Sequence, residues 1–127
     1  TQQKGNIHLN IGKPLTEDEI AEAAKCDKND RYQLIRHAVD LRVIEGYKLW
    51  KNNYVAFDIV NNSFKYSHLY DPCDVEKFVT YMEHQMETVE KDINKEDLRR
   101  IFLDIYANPV VTKELLEKEK TTGAILL

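Results

Sequence analysis

Histidine is the side chain that most often serves as a general base near neutral pH, and the sequence contains four: His8, His37, His68 and His84. None of them lies three or four residues from another histidine or from a cysteine, the spacing that a helical metal pair needs. His68 stands three residues before Asp71, which would suit a His–carboxylate pair. The competing interpretation is favoured: Asp71 caps a helix and His68 is a loop residue.

Other catalytic arrangements are also missing from the sequence. The four glycines are scattered at positions 5, 12, 46 and 123, so they form no glycine-rich phosphate loop, and no G-x-S-x-G turn occurs. The two cysteines, Cys26 and Cys73, are far apart and have no C-x-x-C partner, so we expect reduced structural thiols. The sequence therefore predicts no catalytic residue, no cofactor and no metal site.

One segment combines basic and aromatic side chains and is the candidate binding region. Lys48, Trp50, Lys51 and Tyr54 could contact a phosphate headgroup or a membrane interface. Packing between helices is the favoured competing explanation for the aromatic residues. The acidic stretch 71–92 would be repelled by anionic lipid, so any membrane-facing side should be the basic one around 31–51.

Composition limits the classes of protein to consider. The chain has 127 residues, 43% of them hydrophobic and 31% charged, which is ordinary for one folded domain. Its net charge of −4 lacks the basic field that drives phosphate binding, so no nucleic-acid partner is expected. No apolar run approaches the roughly 20 residues that span a bilayer. We therefore expect a cytoplasmic protein, with peripheral contact to the inner face of the cell membrane left open.

The first structured element predicted is a strand from Ile7 to Gly12. Ile7, Leu9 and Ile11 alternate with His8 and an asparagine, which is the period of a half-buried strand. A lone strand cannot satisfy its own backbone, and nothing downstream offers a partner. This pattern suggests that the sequence belongs to something larger.

The rest of the chain predicts helices. Thr16 opens the first with a capping box, and a loop at 26–30 follows. A long amphipathic helix is predicted from about 31 to 51, in which Gly46 is expected to let a neighbour approach closely. The apolar pattern at 54–60 is expected to be either a second helical segment or an extended stretch. Further helices are expected at 71–91 and from 94, with Asn108 and Pro109 ending that last one and starting another. The fold class predicted is mainly α: a bundle of about five helices with one short N-terminal β-strand.

Several blocks of the sequence resemble one family. IHLNIGKPL, from Ile7, resembles the closing strand of the 1-acyl-glycerol-3-phosphate acyltransferase fold, where a strand ends in a Gly-x-Pro turn. EGYKLWKNNYVAFDIVNN, Glu45 to Asn62, is similar to a pattern in the C-terminal tails of a group of bacterial acyltransferases. HLYDPCDVEKF, from His68, and IYANPVV, from Ile105, fit the same tails in the same order.

The resemblance implies a parent enzyme of phospholipid biosynthesis that transfers an acyl group to a lysophospholipid or glycerol-phosphate hydroxyl. In that family an H-x-x-x-x-D motif does the chemistry. Here the residues five positions after the four histidines are Lys13, Arg42, Cys73 and Val89, never aspartate. No catalytic residue carries over, so the chemistry is expected upstream.

The resemblance also implies a domain division. Residues 1–15 would be a terminal strand of the acyltransferase core, and 16–127 a non-catalytic C-terminal helical domain whose partner is the upstream catalytic domain of the same polypeptide. The alternative is a free-standing helical module that binds a protein through an apolar groove. Self-association through the exposed strand is a further expectation.

Overall fold

The computed structural model describes residues 5–89 and 92–122 and contains five α-helices in that part of the chain: α1 Glu17–Ala24, α2 Lys28–Glu45, α3 Lys51–Asn61, α4 Pro72–Glu87 and α5 Lys95–Thr122. A 3-10 turn at Ser67–Leu69 connects α3 to α4. The mainly helical class is therefore confirmed. None of these helices is both long and apolar enough to cross a bilayer.

The chain divides into two compact units. The first contains 5–48 and the end of α5 from Leu116, and the second contains Leu49–Leu115. Each unit has its own packing.

In the first unit, α1 and α2 begin at well-formed caps. Thr16 Oγ1 accepts from the N–H of Glu19 at 3.1 Å, while the N–H of Thr16 donates to Glu19 Oε1 at 3.0 Å, so the predicted capping box is confirmed. Asp27 caps α2 by accepting from the N–H of Asp30 at 3.0 Å. The loop predicted at 26–30 is therefore too long, because α2 already starts at Lys28.

The predicted helix 31–51 is confirmed as far as residue 45 and is wrong beyond it. The helix α2 ends at Glu45, and Gly46 is its C-cap, donating its N–H to the carbonyl of Arg42 at 3.2 Å. Trp50 is the N-cap of α3, where its N–H donates to Asn53 Oδ1 at 2.8 Å. Continuous apolar periodicity concealed the break, because both helices use the same spacing of apolar residues.

The second unit has a core shared by α3, α4 and α5. Eight apolar residues are buried there: Val55, Ala56, Phe57, Phe78, Met82, Leu103, Ala107 and Val110. Phe78 packs edge-on against Tyr106 with ring centroids 5.3 Å apart, and Asn53 Nδ2 donates to the carbonyl of Tyr106 at 2.8 Å. These contacts link three helices, so the second unit contains a complete small core.

The helix α5 corrects the prediction that Asn108 and Pro109 separate two helices. The helix runs unbroken from Lys95 to Thr122 with Pro109 inside it. Proline removes one backbone hydrogen bond and costs about 3 kcal/mol in a helix interior. Burial of Ala107 and Val110 on either side of the proline offsets that cost, and the helix therefore continues.

The strand predicted at Ile7–Gly12 is not formed in the described part of the chain. Its residues have no regular secondary structure and no backbone-to-backbone hydrogen bond with another described residue. The physical reason is the one that the sequence suggested: a strand exists only when a second strand pairs with it.

Candidate functional site

The predicted headgroup residues lie around the start of α3. Lys48 is exposed and precedes the helix, Trp50 caps it with 38% of its surface exposed, and Lys51 is its first residue. Lys51 Nζ lies 3.5 Å from Asp74 Oδ2, which balances part of its charge. Tyr54 is half-buried one turn on, its ring 4.9 Å from that of Tyr66. Tyr54 therefore contributes to packing. Lipid contact by Lys48, Trp50, Lys51 and Tyr54 stays a prediction.

Sequence reasoning missed a buried polar group next to this region. Asp58 is only 3% exposed and accepts three hydrogen bonds on its carboxyl oxygens: from Ser63 Oγ at 2.8 Å, the N–H of Tyr66 at 3.1 Å and the hydroxyl of Tyr70 at 2.6 Å. Its signal was an aspartate within the apolar run YVAFDIV, a position that should have faced the core. Asp58 thus fixes the turn that follows α3.

A second carboxyl group extends this polar cluster. Glu114 accepts from Lys65 Nζ at 2.8 Å and from the hydroxyl of Tyr66. Burial opposes ionisation of Glu114, yet the hydrogen bonds from Lys65 and Tyr66 keep its pKa below the usual range. Burial, and then the hydrogen bond to Asp58, raises the pKa of the Tyr70 hydroxyl to about 12. These tyrosines are therefore protonated donors at neutral pH, and the cluster is a support for the fold.

The histidines do not assemble a catalytic pair among the described residues. His68 lies exposed in the 3-10 turn and forms no hydrogen bond with Asp71 there. Asp71 instead begins α4, its N–H donating to Asp74 Oδ2 at 2.8 Å, with Pro72 as the first helical residue. Both parts of the favoured interpretation of this segment, a capping Asp71 and a loop histidine, are confirmed.

One acidic cluster has the composition of a metal site. Ligand atoms of Asp71, Cys73 and Asp74 lie within 4.8 Å of one another at the start of α4. Asp74 already accepts from the backbone of Asp71, and its pKa is lowered first by that hydrogen bond and also by nearby Lys51. The cluster is thus accounted for by helix capping.

The N-terminal segment has an unusual orientation in the first unit. Asn10 lies over Gly46, where a Cβ would approach to 2.7 Å of Asn10 Cγ. Position 12 also faces α2, since a Cβ there would lie 3.5 Å from the Cβ of Arg42. The alternate residues point away: Ile7, Leu9 and Ile11 are 82% to 88% exposed. Positions 10 and 12 therefore lie next to the end of α2 although both are exposed, and the three apolar side chains face solvent.

An arginine fixes the end of this segment. Arg42 donates through both Nη atoms to the carboxylate of Glu19, with Nη1 to Oε2 at 3.1 Å, and Nη2 also donates to the carbonyl of Pro14 at 3.4 Å. The hydrogen bond from Arg42 is the main reason that the pKa of Glu19 falls to about 2. The arginine thus connects α2 to α1 and to the residues that follow the apolar segment.

The first unit also has very little core. Its buried apolar residues in the described part are Ala23, Ala38 and Leu116. Larger apolar side chains of its helices are left exposed, namely Ile20, Tyr32, Val39 and Val43. Tyr32, Val39 and Val43 recur at helical spacing along α2, so they form one apolar stripe. The first unit therefore presents to solvent the surface that a folded domain normally buries.

Comparisons with known proteins leave the family open. No protein-family model, no curated protein and no solved structure matches this chain.

Proposed function

We propose that this chain is a non-catalytic helical domain that docks, through its first unit, onto the sheet of an acyltransferase catalytic domain in the same polypeptide. The observation that carries the proposal is the exposure of Ile7, Leu9 and Ile11 on one side of an extended segment. A segment with this alternation can pair with the edge strand of a sheet. The sheet then supplies hydrogen-bond partners for the backbone of the segment and covers its apolar side chains.

The two units differ in how many apolar residues they bury, and this difference supports docking. The second unit has eight buried apolar residues, whereas two alanines and one leucine are buried in the described part of the first. Small units rarely obtain more than about 3–5 kcal/mol from one hydrophobic core, and a core of this kind supplies less. A partner that covers the apolar surface of the first unit would therefore stabilise that unit more than it would stabilise the second.

The nature of the partner rests on the resemblance of the sequence blocks at Ile7, Glu45, His68 and Ile105 to acyltransferase tails. The acceptor would be a lysophospholipid or glycerol phosphate, bound by the catalytic domain. In this proposal the first unit lies in the cytoplasm, at or near the inner face of the cell membrane.

Two assays test the proposal. The purified 1–127 chain should transfer no acyl group from acyl-CoA to lysophosphatidic acid, whereas the product of the whole reading frame should do so. Leu9→Asp in that whole product should reduce its activity at least tenfold, while His8→Asp, one position along, should leave it nearly unchanged. Turnover by the isolated chain, or equal effects of both substitutions, would contradict the proposal.

A free-standing interaction module is the second candidate. It is favoured by a groove in the second unit between the end of α4 and the start of α5, with apolar lining from Met86, Val89, Ile93 and Leu98. The reading frame before Thr1 separates the two candidates. An in-frame H-x-x-x-x-D about one domain length upstream supports the acyltransferase, and a start codon immediately before Thr1 supports the module.

A further inference from the structure

We propose that two copies of this chain associate through α2, each α2 packing antiparallel against the other across a two-fold axis at the level of residue 38. The surface involved is the α2 face, which consists of Tyr32, Arg36, Val39, Asp40 and Val43. It uses none of the apolar residues at 7, 9 and 11, so the association goes beyond the proposed function and is tested independently of it.

The α2 face lies on the side of the helix opposite the buried Ala38. All of its residues are exposed, with exposed fractions of 60% for Tyr32, 42% for Val39 and 53% for Val43. Their spacing brings these three apolar side chains into one row along the helix. A contiguous apolar row at the surface is typical of a place where another molecule packs.

Two charges lie within the α2 face and are not paired with each other. Arg36 stands four residues before Asp40, and the same spacing does form an ion pair in α5, where Arg100 Nε lies 3.2 Å from Asp104 Oδ1. Arg36 instead donates through Nη2 to Oε1 of Gln33 at 2.7 Å. In the part of the chain that the structure describes, neither Arg36 nor Asp40 has an ion-pair partner. A molecule that covers the face must therefore supply an anion for Arg36 and a cation for Asp40.

A second copy in the antiparallel orientation supplies both ions. With the two-fold axis midway between positions 36 and 40, Arg36 of each copy lies level with Asp40 of the other, so two ion pairs form. Residues advance about 1.5 Å along a helix, so Tyr32 of one copy comes within about 1.5 Å of the level of Val43 of the other. Val39 lies beside Val39 of the second copy. The apolar and the charged positions therefore match at the same time.

The order of the charges selects this orientation. In a parallel pair in the same register, Arg36 would face Arg36 and Asp40 would face Asp40, and like charges that meet at an interface are strongly unfavourable. The α2 face is thus complementary to itself only when the two helices are antiparallel. A two-fold interface requires this kind of self-complementarity.

Sedimentation equilibrium of the 1–127 chain over a range of concentrations tests the association. One helix face per copy is smaller than the roughly 800 Å² that each partner buries in a standard interface, so we expect a weak, reversible monomer–dimer equilibrium. Val43→Asp should weaken it at least about tenfold, because a charge would be buried in the apolar row. Ile101→Asp is the matched control: Ile101 is 57% exposed on α5, and its replacement should leave the equilibrium unchanged.

Charge reversal tests the orientation. Arg36→Asp and Asp40→Arg each place like charges opposite one another, so each variant alone should dimerise at least about tenfold more weakly than the parent. An equimolar mixture of the two variants should associate as the parent does. In the mixed dimer the introduced carboxylate faces the introduced guanidinium, and the native Arg36 faces the native Asp40. Arg99→Asp, the same change of charge on α5, should have no effect.

Three results would overturn the proposal. The first is a parent chain that stays monomeric at every concentration, and the second is a mixture that associates no better than either charge variant alone. The third is a dimer that is lost in Leu9→Asp but kept in Val43→Asp, because the contact would then lie at the N-terminal segment and not at the α2 face.

Discussion

The hydroxyl of Tyr70 donates to Oδ2 of Asp58 across 2.6 Å, and this bond joins the end of the 3-10 turn before α4 to the buried face of α3. Asp58 also accepts from Ser63 and from the backbone of Tyr66. The three donors all come from the connection between the two helices. One buried side chain thus replaces, for this turn, the backbone partners that a helix or sheet would supply.

Removal of the Asp58 carboxyl group should destabilise the second unit. Asp58→Ala leaves three donors unpaired at a buried position, and we expect a loss of about 3 kcal/mol in the free energy of unfolding. Asp104→Ala is the matched control, because Asp104 pairs with Arg100 at the surface of a helix and should cost less than about 0.5 kcal/mol. Urea denaturation measures both, and equal effects would contradict a structural role for Asp58.

The Tyr70 hydroxyl should make stability fall at alkaline pH. Burial and the bond to Asp58 raise its pKa to about 12, above the value of about 10 for an unfolded chain. The stability from this group is therefore complete below about pH 10 and is lost as pH rises through about 12. Tyr70→Phe should lessen the fall in the free energy of unfolding between pH 9 and pH 12. An unchanged slope would contradict the assignment.

The Arg42–Glu19 pair should persist in acid. The pKa of Glu19 is lowered to about 2, so stability from its ionised form is present above about 4.5 and lost as pH falls through about 2. A carbon-detected NMR titration of the side chain should give a midpoint near 2. In Arg42→Gln the midpoint should return toward 4.5, and a parent midpoint already at 4.5 would show that the pair is not formed in solution.

Pro109 should limit the stability of α5. Pro109→Ala restores a backbone donor to the carbonyl of Ile105, and we expect the free energy of unfolding to rise by about 1–3 kcal/mol. The neighbouring substitution Asn108→Ala changes propensity alone and should add less than about 1 kcal/mol. Thermal unfolding compares the two. A decrease in Pro109→Ala would indicate that the helix is interrupted at this position, as the sequence had predicted.

The basic residues beside α3 provide a test of membrane contact. Each lysine near an anionic surface contributes about 1 kcal/mol, so Lys48→Gln should weaken co-sedimentation with phosphatidylglycerol-containing vesicles about fivefold. Lys28→Gln, at the start of α2, should have little effect. Trp50→Ala should weaken binding further by removing an interfacial aromatic. Equal binding to neutral and anionic vesicles would count against this surface.

The sequence predicted well wherever local chemistry decides the structure. Thr16 with Glu19, Asp71 with the proline after it, and Asn94, whose Oδ1 accepts from the N–H of Glu96 at 2.8 Å, all mark helix starts as predicted. Each cap depends on residues within three positions of one another. Such signals are complete in the sequence, and the tertiary fold does not change them.

The wrong predictions concern places where tertiary packing or a partner determines the local structure. Pro109 stays helical because its neighbours Ala107 and Val110 are buried, a fact that local propensity cannot contain. Gly46 was placed inside a helix and instead caps it, although the suggestion that it admits a close neighbour was right, and Asn10 is that neighbour. The buried Asp58 was missed because its three donors lie five to twelve residues away.

Binding between the 1–127 chain and the segment encoded upstream in the same reading frame tests the central claim most directly. Calorimetry should show a 1:1 complex for the parent chain, retained by His8→Asp and lost or weakened at least a hundredfold by Leu9→Asp, because a buried unpaired charge at a sheet edge is costly. If both variants bind as the parent does, the apolar side of Ile7–Gly12 is not the docking surface and the account is wrong.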